Sequence, residues 1–108
     1  DVEGKDVIIM DDEIATGGSI IELIERLKER HVKDIAVTCT HGVFSGKSIE
    51  RFRAHPDINE IVTTNTVPIP EEKMLPHMTV FSVAPLLAEA IRRIHNGESV
   101  SSLFIDTL

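Results

Sequence analysis

The sequence predicts an α/β fold in which helices flank a parallel sheet. Short apolar runs alternate with helical patterns, and the resulting order is βαβαββα. Hydrophobic residues make up 42% of the chain and charged residues 27%, which is typical of a globular domain. A chain of 108 residues can form one core but not two, so residues 1–108 are predicted to be a single domain.

Four apolar segments predict the strands. The first, residues 6–10, is bounded by charges and is expected to be buried on both faces, as strands of a parallel sheet usually are. The other three strands are predicted at residues 35–40, 60–64 and 78–83.

Three helices are predicted, at residues 17–30, 45–54 and 85–95. Apolar residues repeat with helical spacing on the first and last of them. These predicted buried stripes are Ile20, Leu23, Ile24 and Leu27 on the first helix and Leu87, Ile91 and Ile94 on the last. His31 follows the first helix, where a left-handed residue is expected. Three helices barely cover both faces of four strands, so one layer is expected from a missing segment or another subunit.

The amino-acid composition of the chain limits the kinds of binding partner that are expected. The chain has 11 Lys+Arg against 18 Asp+Glu, a net charge of −7, which disfavours nucleic acid and an anionic membrane surface. No apolar run approaches the roughly 20 residues that span a bilayer. Cys39 is the single cysteine, so a reducing cytoplasm is expected, with the thiol buried in the core. The chain begins at Asp1 rather than Met, which suggests a piece of something longer.

The end of the first strand carries the strongest chemical signal. Asp11 and Asp12 are followed by a turn of small residues that opens a helix. The free backbone N–H groups of such a turn, with the positive end of the helix dipole, suit a phosphate. The two carboxylates suit sugar hydroxyls or Mg²⁺. The alternative is that the acids only solubilise a loop while Thr16 or Gly17 caps the helix.

A second strand end is less specific. Gly46-Lys47-Ser48 resembles the end of a P-loop, but only three residues separate Gly42 from Gly46 where four are required, so a P-loop is rejected. His41 lies at this strand end, and both a functional and a structural role are open for it. Arg92 and Arg93 are expected to be solvated helix charges.

These segments together resemble a known family. The motif at residues 11–19 resembles the phosphoribosyl-binding motif of the type I phosphoribosyltransferase fold. Residues 40–46, 62–66 and 88–104 are similar to the C-terminal domain of the ribose-phosphate diphosphokinases. The resemblance covers almost the whole chain, and it implies a two-domain enzyme of which this chain is the C-terminal part.

The resemblance implies transfer of pyrophosphate from ATP to the C1 hydroxyl of ribose 5-phosphate, giving phosphoribosyl pyrophosphate, with Mg²⁺ as cofactor. Asp11 and Asp12 would hold the ribose hydroxyls, directly or through Mg²⁺. The residues implied in binding the sugar phosphate are Asp11, Asp12, Ala15, Thr16, Gly17, Gly18 and Ser19. In the family, the tail contributes to an inhibitory nucleotide site between subunits of a hexamer. Ser99, Ser101 and Phe104 would serve there, unless the tail only ends the helix and packs at an interface.

Two departures leave alternatives open. Ala15 stands where many diphosphokinases have a third Asp, and Glu13 occupies a position that is usually apolar. A non-catalytic regulatory subunit of the same fold would explain both changes, and a salvage phosphoribosyltransferase would use the same motif. The family's catalytic Lys and Arg lie on a loop before Asp1, so no catalytic residue is assigned within this chain. It is therefore expected to bind ribose 5-phosphate weakly and to be inactive alone.

Overall fold

A computed structural model describes residues 1–104 and contains a four-stranded parallel sheet. The strands lie side by side in chain order, as β1 Val7–Ile14, β2 Ile35–Gly42, β3 Glu60–Thr64 and β4 Met78–Phe81. The helices are α1 Gly18–Glu29, α2 Ser48–Arg53 and α3 Ala84–His95, and short 3-10 turns occur at Glu71–Lys73 and Ser101–Leu103. The predicted fold class and the order βαβαββα are therefore confirmed.

Strand β1 is longer than the sequence predicted. It pairs with β2 from Val7 opposite Ile35 to Ile14 opposite Gly42, so Asp11, Asp12 and Glu13 belong to the strand rather than to the turn after it. The three acidic residues are exposed. Because β1 is an edge strand, its backbone can continue the pairing while these charged side chains stay in water.

The core fills one face of the sheet. Inward-facing strand residues such as Ile9, Val37 and Ile61 belong to one buried cluster with residues of α1 and α2. On α1 the buried residues are Ile20, Ile21 and Ile24. The predicted stripe was therefore wrong at Leu23, which is 42% exposed, because the helix turns Ile21 toward the core in its place.

The opposite face of the sheet is bare within residues 1–104. Ile8, Met10 and Phe81 point to this face and are 69%, 80% and 60% exposed. The prediction that the first strand is buried on both faces was wrong, since successive side chains alternate between faces and only one face is covered. We call this surface the bare face.

Helix α3 does not supply the second layer. None of its residues is buried, and Leu87, Ile91 and Ile94 are all more than half exposed, so their prediction as a buried stripe was wrong. An amphipathic pattern shows that a helix has an apolar side, not that the same chain covers it. The radius of gyration is 16.6 Å, against about 13 Å for a compact domain of this length.

Two local features connect the elements. His31 has φ 59°, which confirms the left-handed residue expected after α1. The Asn65 side-chain oxygen accepts the Val83 N–H at 2.9 Å, and the Asn65 N–H donates to Phe81 O at 3.0 Å, so Asn65 fixes the turn from β4 into α3. Within residues 1–104, no helix has the length and apolar character needed to cross a membrane.

The unequal burial of α1 and α3 leads to a stability prediction. Ile24→Ala should lower the free energy of unfolding by about 3 kcal/mol, because Ile24 is fully buried and its loss leaves a cavity. Ile91→Ala on α3, a helix of equal length, should change it by less than about 0.5 kcal/mol. Urea unfolding followed by circular dichroism measures both values. A loss at Ile91 as large as that at Ile24 would show that α3 is covered in solution.

Candidate functional site

The loop between β1 and α1 has a conformation that requires glycine. Ile14 ends the strand with 2% of its surface exposed, and Gly17 precedes α1 with φ +77°. A Cβ at Gly17 would also lie 3.3 Å from the Phe52 ring. Any L-residue at this position would combine backbone strain with a close contact, so glycine is the residue that allows the loop to lie against α2.

Three successive carbonyl groups of this loop are held from the same side. Ile14 O accepts the N–H groups of Val43 and Phe44, each at 3.0 Å. Ala15 O accepts the Ser45 N–H at 3.0 Å, and Thr16 O accepts Nη1 of Arg51 at 2.7 Å. All these donors belong to the segment that leads from β2 into α2, or to α2 itself.

These bonds fix the direction of the loop's N–H groups. In a planar trans peptide the N–H points opposite to the C=O of the preceding residue. Anchoring the carbonyls of residues 14–16 therefore directs the N–H groups of residues 15–17 away from the β2–α2 segment. The first N–H groups of α1 follow directly, and a helix leaves these without intrahelical acceptors. A run of such N–H groups is a suitable environment for an anion.

A cavity of about 180 Å³ lies along this loop. Its walls include Asp11 and Glu13 from β1 and residues 14–20 from the loop and the start of α1. The Thr16 and Ser19 side chains are exposed, and their hydroxyls form no hydrogen bond within residues 1–104. The cavity walls therefore combine carboxylates with residues that carry N–H and hydroxyl donors.

The structure brings most of the predicted site residues together. The following predicted residues line the cavity: Asp11, Ala15, Thr16, Gly17, Gly18 and Ser19. Asp12 is not among the lining residues, although its neighbours Asp11 and Glu13 are. Asp12 nevertheless directly follows Asp11 in the strand, and its main-chain N–H donates to Asp11 Oδ1 at 2.8 Å.

The β2–α2 segment owes its shape to close packing. Phe44, at φ 47° and 1% exposed, meets the Phe52 ring edge to face with 6.0 Å between centroids. A Cβ at Gly42 would lie 2.6 Å from the Phe44 ring and 2.9 Å from Thr63 Oγ1. Gly42 therefore makes room for Phe44, and the rejected P-loop sequence instead forms the support of the loop that follows β1.

Neighbouring strand ends carry a second cavity of about 250 Å³, and Asp11 borders both cavities. Cys39, at its base, is 4% exposed, which confirms the predicted core thiol. Burial raises the pKa of Cys39, opposed by its 3.3 Å hydrogen bond with Thr63. His41 lies opposite Glu13 in the sheet register, but its Nδ1 is engaged with Thr66 Oγ1 at 2.8 Å.

The acidic residues meet the usual requirements of Mg²⁺ only in part. Within residues 1–104, no group of three or more His, Cys, Asp or Glu side chains is arranged to hold a metal ion. Mg²⁺ usually keeps several waters and binds one or two carboxylates together with substrate oxygens. The exposed carboxylates of Asp11 and Asp12 fit that role, in which the ion and the substrate bind together.

The predicted tail residues lie at the end of α3. Arg93 donates to Glu89 at 2.9 Å and to Ser99 O at 3.2 Å, and it also contacts the Ser102 hydroxyl. Hydrogen bonds from Arg92 and Arg93 lower the pKa of Glu89 to about 2. The expectation that these arginines are merely solvated was wrong, because they tie the tail to the helix.

Of the other tail residues, Ser99 and Ser101 share a hydrogen bond of 2.9 Å, and Phe104 is 55% exposed. Within residues 1–104, no hydrogen bond or ion pair joins Ser99 or Ser101 to the loop after β1.

Arg51 is the functional candidate that the sequence reasoning missed. The sequence assigned it no role, whereas its guanidinium reaches the loop carbonyl of Thr16 across 35 positions of sequence. No local pattern marks such a contact, because it depends on how α2 packs beside α1.

The parallel sheet, the acidic end of β1 and the Gly-containing loop together define an α/β domain with a candidate ligand site at the carboxyl end of its edge strand. A family model described as the phosphoribosyl synthetase-associated domain matches residues 1–105, and the chain belongs to that family.

Individual relatives give the same result. A putative ribose-phosphate pyrophosphokinase of Streptomyces coelicolor is 52% identical over 104 residues, which are 96% of this chain and 33% of that protein. A ribose-phosphate pyrophosphokinase of Rhodopirellula baltica is 50% identical over 103 residues, 95% of this chain and 32% of that protein. The chain thus spans about a third of the length of the curated relatives that it matches.

A solved structure has the same fold. The crystal structure of phosphoribosylpyrophosphate synthetase from Mycobacterium smegmatis matches with a TM-score of 0.85 and 43% sequence identity, over 90% of this chain and 32% of that one.

Proposed function

We propose that this chain is the sugar-phosphate-binding part of a ribose-phosphate diphosphokinase. The complete enzyme would transfer pyrophosphate from ATP to the C1 hydroxyl of ribose 5-phosphate and release phosphoribosyl pyrophosphate for nucleotide biosynthesis. The observation that carries the proposal is a cavity whose walls combine the anchored loop after β1 with the Asp11 carboxylate. The printed names of the relatives support the choice of reaction.

In this proposal the loop receives the 5-phosphate. The N–H groups of the loop and of the first turn of α1 donate to its oxygens, and the Thr16 and Ser19 hydroxyls add donors on the same side. The positive end of the α1 dipole favours the phosphate charge. The phosphate thereby fixes one end of the sugar, so that the other end is oriented without any covalent step.

The carboxylates would orient the ribose. Asp11 and Asp12 would hold the ribose hydroxyls, directly as hydrogen-bond acceptors or through Mg²⁺. Mg²⁺, when bound, supplies positive charge to the oxygens around the transferred group. Glu13 also lines the cavity and adds a negative charge beside the ligand, which is the observation that favours the second candidate, a regulatory subunit with weakened binding.

The rest of the enzyme would lie outside this chain. We propose an N-terminal domain that brings a catalytic Lys and Arg, and we propose that it or another subunit covers the bare face. The threefold greater length of the relatives supports the first point, and the exposed Ile8, Met10 and Phe81 support the second. A cytoplasmic hexamer with an inhibitory nucleotide near Ser99, Ser101 and Phe104 completes the proposal.

Substrate binding provides the direct test. In calorimetric titrations the chain should bind ribose 5-phosphate weakly, and more tightly with Mg²⁺. The Asp11→Asn/Asp12→Asn variant should bind at least about tenfold more weakly and lose the Mg²⁺ effect, because both the hydrogen-bond acceptors and the metal ligands lose their charge. Of the two substitutions, Asp11→Asn should cause most of the loss of affinity, since Asp11 lines the cavity and Asp12 does not.

A matched control removes the same two charges elsewhere. Glu71 and Glu72 are adjacent and exposed on the first 3-10 turn, so Glu71→Gln/Glu72→Gln should leave the affinity unchanged. Equal weakening in both double variants, or no binding by a chain whose melting curve shows it folded, would contradict the proposed site.

Catalysis should need more than this chain. Incubated with ATP, ribose 5-phosphate and Mg²⁺, the chain should form no phosphoribosyl pyrophosphate, because the cavity walls described here include no Lys or Arg to stabilise the transferred group. Product formation by the purified chain would contradict this expectation.

The full-length protein distinguishes the two alternative functions. An activity that requires ATP and does not use nucleobases would exclude a salvage phosphoribosyltransferase. Activity in the absence of a second protein would exclude a regulatory subunit.

A further inference from the structure

We propose that Arg51 is a positioning residue for the loop that receives the phosphate, an inference that rests on the function proposed above. Arg51 lies on α2, outside the cavity walls, and its Nη1 donates to Thr16 O at 2.7 Å. Holding this carbonyl against α2 turns the Gly17 N–H to the opposite side of the peptide.

Arg51 differs in kind from the other anchors of the loop. The carbonyls of Ile14 and Ala15 are held by the main-chain N–H groups of Val43, Phe44 and Ser45. The Thr16 carbonyl is instead held by one side chain. The peptide between Thr16 and Gly17 is therefore the part of the loop whose direction a single substitution can release.

The geometry of the contact suits this role. A charged donor at 2.7 Å forms a stronger hydrogen bond than a neutral one. The same Nη1 would lie 3.5 Å from a Cβ at Gly18, so the guanidinium that binds the Thr16 carbonyl also lies beside the first residue of α1. The planar fork of Arg fits this position, whereas the ammonium of Lys would offer a single rotating donor group.

Charge adds a second contribution. The cavity walls contain the carboxylates of Asp11 and Glu13, which repel a phosphate. Within residues 1–104, Arg51 forms no ion pair with an acidic side chain. Its positive charge, on the α2 side of the loop, is therefore available to offset the repulsion between these carboxylates and a phosphate. Arg53, two positions further along α2, reaches in another direction and donates to Glu72 O at 3.4 Å.

Arg53 therefore provides a matched control. Arg51→Met and Arg53→Met each remove one positive charge and one hydrogen bond to a carbonyl from the same helix. Calorimetry should show that Arg51→Met binds ribose 5-phosphate about tenfold more weakly, the effect of losing one hydrogen bond from a charged donor. Arg53→Met should stay within about twofold of the wild type, and Arg51→Lys should lie between the two.

A second readout separates positioning from general destabilisation. In NMR titrations of the wild type, inorganic phosphate should shift the signals of the Gly17 and Gly18 amides. The apparent affinity for inorganic phosphate should be lower in Arg51→Met, by the same factor as the affinity for ribose 5-phosphate. Melting curves establish that each variant is folded at the assay temperature. If Arg51→Met is not folded, Arg51→Lys decides, and wild-type affinity in that variant overturns the inference.

The outcomes distinguish this inference from the function on which it rests. Binding by the wild type with equal affinities for Arg51→Met and Arg53→Met overturns the role of Arg51 and leaves the phosphate loop standing. A folded wild type that binds neither ribose 5-phosphate nor inorganic phosphate overturns both. A loss confined to Arg51→Met, with the expected intermediate value for Arg51→Lys, supports the inference.

Discussion

The site depends on one constraint, the anchoring of three successive loop carbonyls from the β2–α2 segment. With the carbonyls of residues 14–16 held on one side, the following N–H groups must face the other way. The close packing of Gly17 on Phe52, and of Gly42 on Phe44, lets the two segments approach closely enough for these bonds to form. The residues that line the cavity are thus arranged by residues outside it.

The half-covered sheet explains why the site lies at an edge rather than in a closed pocket. Ligands of parallel α/β sheets bind beyond the carboxyl ends of the strands, and the first cavity lies at the carboxyl end of β1, whereas the second is lined by bare-face residues such as Met10 and Phe81. The face packed by α1 and α2 holds the loop rigidly, whereas the bare face and α3 present apolar side chains to the surface. A chain that spans a third of its relatives is consistent with a domain whose remaining contacts come from elsewhere.

Much of this structure could be predicted from the sequence because the signals are local. The order of strands and helices along the chain, the turn that opens α1 and the left-handed His31 each follow from nearby residues. Burial of Leu87 and Ile91 could not be decided in this way, since an apolar stripe does not reveal whether a partner covers it. The extension of β1 through Glu13 depends on pairing with β2, and the role proposed for Arg51 depends on how two helices pack. Both are long-range effects without a sequence pattern.

The most direct test of the proposed site is a crystal structure of the chain grown with ribose 5-phosphate and Mg²⁺. We expect phosphate oxygens within about 3 Å of the amide nitrogens of Gly17, Gly18 and Ser19, with the ribose directed toward Asp11 and with the Thr16 carbonyl still held by Arg51. A phosphate bound elsewhere, or a loop whose Thr16 carbonyl has turned away from α2 to face the ligand, would contradict it.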